Sequence, residues 1–258
     1  MKEALSPPDS GNFNGQTAII TGATTGIGLE AARAFAQGGA NVVMIGRRAK
    51  ELEEAASDIG AKGHAYPGDV SSEKDIDRIL NETEARFGVP HYLVTAAGIC
   101  IPGLLEDLSL QEFKDHLDIN VTGSFYIGQK VGLAMAKRGS GSIVYVASEQ
   151  SHIGMGYYTA YATSKHAILG LTRCFAAELA PRNVRVNAIC PGPVNTPMLE
   201  SEVQWFGGGA DIRKEAYERV PLKRLAEPQE IAKSILFLAQ ASFATGSVMD
   251  VDGGTTIA

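Results

Sequence analysis

The sequence predicts one α/β domain, a doubly wound parallel sheet of about seven strands with helices on both faces, and three observations predict it. Short β-branched runs alternate with segments of helical period along most of the chain. Strand, glycine turn and helix follow one another directly from Thr17 to Phe35. The 258 residues, 45% hydrophobic and 20% charged, contain neither an internal repeat nor a linker, which suits one large core. Residues 1–14, with Pro7, Pro8, Asp9, Ser10 and Gly11, read as a loose tail ahead of a single domain over 15–258.

The elements follow in order. Thr17 to Ile20 is a compact β-prone run, and the helix after it sets Ile27, Ala31, Ala34 and Phe35 on one face and ends at Gly38 and Gly39. Asn41 to Ile45 is the next strand, followed by a helix over 49–59, a strand from Gly63 to Tyr66, a helix over 73–87 and a strand from His91 to Thr95. Ser109 and Glu112 have the spacing of a capping box and open a long helical segment through Lys137, with Asn120 inside it. Ser142 to Ala147 is a buried strand with Ser148 at its end, and a loop with Gly154 and Gly156 leads to a helix from Tyr158 to Pro181. Ala162, His166, Leu169 and Ala176 or Ala177 lie on or near one face of that helix. Val184 to Ile189 is a strand, Pro228 starts a helix to Ala239, and Ser247 to Val251 is the last strand.

A net charge of −6 without a basic tract gives no reason to expect a nucleic-acid partner. No apolar run reaches the length of about 18 residues that a membrane span needs, and no apolar signal core is present, so cytoplasm is the expected location. Cys100, Cys174 and Cys190 show neither a close pair nor metal-ligand spacing, which predicts three small core residues, no structural disulfide and no metal site.

Tyr161 and Lys165, four apart on the predicted helix, share a face, and Ser148 stands thirteen residues earlier at a strand end. A phenol of pKa about 10 beside an ammonium is expected to exchange a proton nearer neutrality. A serine hydroxyl at the same point would anchor a carbonyl or carbinol oxygen. A solvated lysine on a helix face is the plainer reading of the Tyr–Lys pair alone.

The turn Thr21, Gly22, Ala23, Thr24, Thr25, Gly26, Ile27, Gly28 lies between strand and helix, where backbone can approach a pyrophosphate and helix N–H groups can face it. The second strand ends in Gly46, Arg47 and Arg48 instead of an acid, which favours the 2′-phosphate of NADP over the ribose of NAD. Asp69 and Val70 close the third strand, where adenine would pass, although Asp69 also suits a turn. The rigid loop Pro191, Gly192, Pro193, Val194, Asn195, Thr196, Pro197 is placed to line a crevice. Residues 198–220, with Met198, Trp205, Phe206 and three glycines, form either a substrate lid or a surface loop. Gln150, His152, Tyr158, Met198 and Trp205, with Ser148, are the candidate substrate contacts; Glu149, Gln150 and His152 suit hydrogen bonds to a polyol or other hydroxylated substrate, or else a solvated loop.

Together these residues resemble the short-chain dehydrogenase/reductase family, in its branch of about 250 residues, from Gly15 to Thr255. The resemblance implies a Rossmann-like fold and a homotetramer joined through the helices bearing Tyr161 and Asn120. It also implies a tetrad of Asn120, Ser148, Tyr161 and Lys165, in which Asn120 carries a water behind Lys165 and Lys165 holds the nicotinamide ribose. It extends the cofactor contacts to Ala97 and Gly98, and to Pro191, Gly192, Val194 and Thr196. The family's two asparagines before Ala-Gly are replaced by Thr95 and Ala96, which weakens a cofactor-side contact in expectation. The implied activity is reversible hydride transfer between NADP(H), favoured over NAD(H), and a small secondary alcohol or ketone. A 3-oxoacyl-thioester (acyl-carrier-protein) reductase is the alternative, and a non-catalytic dinucleotide sensor or scaffold is the reading of another class.

Overall fold

A computed structural model describes residues 12–257. Its strands are β1 (Thr17–Thr21), β2 (Asn41–Gly46), β3 (Gly63–Pro67), β4 (Tyr92–Thr95), β5 (Gly141–Val146), β6 (Val184–Pro191) and β7 (Val248–Val251). All pair in parallel in one seven-stranded sheet, in the order β3-β2-β1-β4-β5-β6-β7. Parallel neighbours require crossovers, and helices supply them. These are α1 (Gly26–Gln37), α2 (Ala49–Ile59), α3 (Glu73–Phe87), α4 (Leu110–Leu117), α5 (Gly123–Arg138), α6 (Thr159–Leu179), α7 (Pro197–Trp205), α8 (Ala210–Glu218) and α9 (Pro228–Gln240).

Strand alternation sorts the side chains into two cores. Ala18, Ile20, Val42 and Met44 pack with α1, α2 and α9 on one face. Ile19, Val43 and Ile45 pack on the other with α3, α5 and α6. Since each strand is covered on both faces, it reads as a continuous apolar run, and each fully buried isoleucine contributes roughly 1.5–3 kcal/mol. The order reverses direction between β1 and β4, which opens a crevice at the carboxyl ends of the strands.

Four features depart from the sequence reading. Phe13, assigned to the tail, is fully buried and stacks on Phe35 and Tyr92 with centroids 4.8 and 5.2 Å away, because the open end of the α1 layer needs an apolar cover. The tail's residues 1–11 lie outside the described residues. Cys174 is exposed on α6, whereas Cys100 and Cys190 are buried. His166 and Ala177 are also exposed on that helix, leaving Ala162, Leu169 and Ala176 as its buried stripe. The Ser109 capping box forms as expected, but the helix it opens is interrupted by a π-helical stretch, Asp118–Thr122, before α5 begins. Such single turns insert one residue's worth of rotation and often mark functional positions.

Tyr145 of β5 is fully buried, and its hydroxyl has no hydrogen-bond partner among the described residues. Burial pushes its phenol far above the ordinary value. Tyr145→Phe removes the unmet polar group and keeps the ring packed against Phe175, 6.2 Å away. The variant should be more stable by about 1 kcal/mol, a rise of about 2 °C in Tm by thermal unfolding. A lower Tm would show that the hydroxyl is satisfied.

Candidate active site

A cavity of about 340 Å³ opens at the carboxyl ends of β1, β2, β4, β5 and β6. Its phosphate-sized end is the turn after β1, where Gly22, Thr24, Thr25, Gly26, Ile27 and Gly28 form the wall. Gly22 has φ +66°, and a Cβ there would stand 2.7 Å from the Ala96 carbonyl carbon and the Ala97 nitrogen, so the close approach admits only glycine. Thr25 caps α1 without a side-chain hydrogen bond, and no acid occupies the first turn. The helix therefore presents unpaired N–H groups and an uncompensated positive dipole end at the cavity. This cradle fits an anionic dinucleotide pyrophosphate on the chemistry of its donors alone.

Arg47, Arg48, Asp69 and Val70 border the same end. Arg47 lies 3.9 Å from Asp69, and Arg48 lies 3.8 Å from Glu51, with both guanidinium groups more than half exposed. Asp69 is a turn residue as well as a wall residue, since its Oδ1 accepts hydrogen bonds from the Ser71 N–H (2.9 Å) and hydroxyl (2.7 Å). Ala97 and Gly98 form the wall after β4. The Thr21 hydroxyl accepts a hydrogen bond from the Ala97 N–H at 3.1 Å and fixes this wall from β1, where the family's asparagines are missing. Pro191, Gly192, Val194 and Thr196 close the opposite side, and Thr196 caps α7 through Leu199 N–H at 3.4 Å.

Ser148, Tyr161 and Lys165 line the centre. Ser148 caps a short 3₁₀ turn, Glu149–Ser151, and its hydroxyl accepts a hydrogen bond from the Gln150 N–H at 3.2 Å. Ser151 locks that turn to α6 by donating to the Lys165 carbonyl at 2.8 Å. Lys165 is buried; its Nζ donates to the Val146 carbonyl at 2.9 Å and lies 5.6 Å from the Tyr161 ring centroid. Burial lowers its ammonium to about 8. Asn120 stands behind the wall: its Oδ1 accepts from Ile99 N–H at 2.8 Å, and its Nδ2 donates to the Ile99 carbonyl at 3.0 Å and to Ser164 Oγ at 2.9 Å. A Cβ at Gly98 would stand 3.1 Å from Asn120 Oδ1 and 3.7 Å from Lys165 Nζ, which brings the two together across one glycine.

The expected easing of the Tyr161 phenol toward neutrality is not what this environment gives. Burial holds the phenol well above its ordinary value, the Cys100 thiol adds to this, and the neighbouring Ser148 hydroxyl pulls the other way. The ammonium gives one of its three donors to the Val146 carbonyl and is itself desolvated, and desolvation of the phenol outweighs the attraction that the helical spacing promises.

Of the candidate substrate residues, Gln150 and Met198 line the cavity with Ser148, whereas His152, Tyr158 and Trp205 do not. His152 turns outward to Asp250, with Nε2 2.9 Å from Oδ1. Trp205 packs edgewise on Tyr157 and Phe206 and is 45% exposed. Tyr158 is buried behind the wall and donates its hydroxyl to Glu202 Oε2 at 2.9 Å. Glu149 and Gln150 are buried, not solvated. Although sequence spacing suggests no metal, the ligand atoms of His152, Cys190 and Asp250 fall within 4.8 Å of one another. Burial and Asp250 raise the Cys190 thiol to about 12, so it stays protonated in this cluster. Glu202 and Arg219, which the sequence reading does not single out, both border the cavity. No local pattern marks them, because each reaches the site from the α7–α8 segment across more than forty residues of chain.

Fold and site together define an oxidoreductase of the dinucleotide-binding α/β class. The family model described as enoyl-(acyl carrier protein) reductase matches residues 22–256. The chain is 37% identical over 254 residues to the 2,3-dihydro-2,3-dihydroxybenzoate dehydrogenase of Bacillus subtilis, covering 95% of this chain and 97% of that protein. It superposes with a TM-score of 0.88 on a putative NAD(P)-dependent gluconate 5-dehydrogenase from Beutenbergia cavernae with bound NADP, at 34% identity, covering 96% of this chain and 100% of that one. The 3-ketoacyl-(acyl-carrier-protein) reductase of Brucella melitensis, complexed with NADH, superposes with a TM-score of 0.88 at 32% identity, covering 95% and 99%. The chain belongs to the short-chain dehydrogenase/reductase family. No described helix is long and apolar enough to cross a membrane.

Proposed function

We propose that the chain interconverts a small secondary alcohol and its ketone with a nicotinamide dinucleotide, NADP(H) in preference to NAD(H). The observation that carries this reading is that Ser148, Tyr161 and Lys165 share one cavity with the glycine turn and the uncapped start of α1. In this cavity, Ser148, Tyr161 and Lys165 would stand beside a bound nicotinamide, whose chemistry is to give or take a hydride. Tyr161 exchanges a proton between its phenol oxygen and the substrate oxygen, and the Ser148 hydroxyl donates a hydrogen bond to that oxygen where negative charge gathers. Lys165 stabilises the phenolate by its charge and offers donors to ribose hydroxyls. Asn120, held against Ile99, sits on the path by which protons return to Lys165.

The first turn of α1 receives the pyrophosphate, Asp69, Val70, Ala97 and Gly98 flank the adenosine side, and Pro191, Gly192, Val194 and Thr196 enclose the nicotinamide. Arg47 and Arg48, exposed at this end of the cavity, would pair with a 2′-phosphate. Residues 198–220 serve as a substrate lid, a reading supported by Gly207, Gly208 and Gly209, all of positive φ, between α7 and α8. Assembly as a homotetramer is supported by Phe125 and Leu133, apolar and exposed on α5. Three unbonded cysteines suit a cytoplasmic location.

The test is absorbance of the reduced nicotinamide with a panel of alcohols and ketones under both cofactors. Absence of turnover with cofactor bound would leave a sensor, and a carrier-linked thioester far outrunning free ketones would replace the alcohol reading. Arg47→Asp should shift the NADP/NAD ratio of kcat/KM toward NAD by about tenfold or more, since it exchanges a phosphate-pairing cation for an anion. An unchanged ratio would remove Arg47 from cofactor choice.

A further inference from the structure

The substrate end of the cavity is unusually rich in hydrogen-bond acceptors. Glu202 projects from α7 into its wall, half-buried, and accepts from the Tyr158 hydroxyl at 2.9 Å. Gln150, 5% exposed, borders the same space, and its Oε1 accepts no hydrogen bond from any described residue. Glu149 is buried and paired with Arg219, so the one guanidinium on this part of the wall is already matched by a carboxylate. A substrate carboxylate or phosphate at this end would therefore meet the Glu202 and Glu149 carboxylates, while Lys165, which has no carboxylate partner among the described residues, is turned toward the Val146 carbonyl. A hydroxyl, by contrast, brings a further donor to Glu202 and a first one to Gln150, whose Oε1 accepts from none of the described residues.

We infer that the physiological substrate is an uncharged diol or polyol, and that Glu202, with Gln150, receives a second hydroxyl beside the carbinol being oxidised. This rests on the alcohol–ketone reading above and names its substrate class. A carboxylate is costly in a partly apolar wall and is retained where a partner compensates it. Tyr158 and the Cys100 thiol each offer Glu202 a donor, and a carboxylate accepts several more. The groups facing Glu202 are Tyr158 and Tyr161 of α6, Cys100 after β4, Glu149 after β5 and Arg219 after α8. Burial raises the Glu202 carboxyl to about 7. Its ionised form, which accepts the stronger hydrogen bond, thus appears as the pH passes neutrality.

The experiment compares kcat/KM for matched neutral substrates, a cyclic vicinal diol and the corresponding mono-alcohol, with a hydroxy acid of similar size as the anionic arm. The wild type should favour the diol over both others by at least about tenfold, and Glu202→Gln should reduce the diol-to-mono-alcohol ratio at least about tenfold. The wild-type KM for the diol should fall as pH rises through 7, and that fall should vanish in Glu202→Gln. A wild-type ratio near one, a ratio preserved in Glu202→Gln, or an anionic substrate that outruns the diol would overturn the inference while leaving alcohol oxidation standing. Absence of turnover with every alcohol would overturn both. Should Glu202→Gln lose its thermal transition, Glu202→Asp carries the same comparison, because it keeps the charge but withdraws it by one methylene.

Discussion

Tyr161→Phe should lower kcat by at least about a hundredfold in either direction while the cofactor still binds. The substitution deletes one oxygen from a side chain whose ring remains packed against Tyr158, centroids 6.5 Å apart, so the wall of the cavity should keep its shape. What disappears is the acid that must protonate the forming alkoxide, a contribution of about 10²–10⁴ in rate for a well-placed acid or base. Burial holds the phenol protonated through neutrality, which suits ketone reduction directly. Alcohol oxidation needs the phenolate, so the wild-type oxidation rate should rise with pH; the residual rate of the Phe variant should lack that dependence on Tyr161. Steady-state kinetics in both directions, with cofactor binding followed by nicotinamide fluorescence, make the check. Full activity in the variant would remove Tyr161 from proton transfer.

The sheet was legible because strands buried on both faces are written as unbroken apolar runs, and β1, β2 and β6 begin where such runs begin. Tyr161 and Lys165 were legible for a related reason: one turn of α6 fixes their relation locally, whereas Ser148, past the end of β5, meets them only where the 3₁₀ turn is locked to α6 by Ser151. What the sequence withheld depends on long-range packing. The tail boundary failed at Phe13 because its partners are Phe35 and Tyr92, the latter on a strand far along the chain. The π-helical stretch at Asn120 has no pattern of its own, since it arises where the side chain must reach the Ile99 backbone. Tyr158, a candidate substrate contact in the sequence, stands at the N-cap of α6 and turns behind the wall to Glu202, a placement set by α7. The proton affinity of Tyr161 was misjudged in the same way: spacing reports which groups are near, while desolvation depends on everything packed around them.

Gly28→Ala should weaken dinucleotide binding at least about tenfold, a loss of about 1.4 kcal/mol or more. The added Cβ would stand 2.3 Å from the Gly22 carbonyl oxygen and 2.8 Å from its carbon, distances that no real methyl group tolerates. Neither neighbour can rotate away, because both are backbone atoms, and Gly22 is itself pinned against the backbone of Ala96 and Ala97. Relief requires the start of α1 to move away from the β1 turn. That movement withdraws the N–H groups that Thr25 leaves uncapped at the cavity and opens the cradle where the phosphates would sit. The buried face of α1, from Ala31 to Phe35, remains packed on the sheet, so the variant should retain a cooperative thermal transition. Fluorescence titration with the reduced dinucleotide, read beside Tm, separates the two effects. A folded variant that binds as tightly as the wild type would show that the contact between α1 and the turn has no part in holding the cofactor.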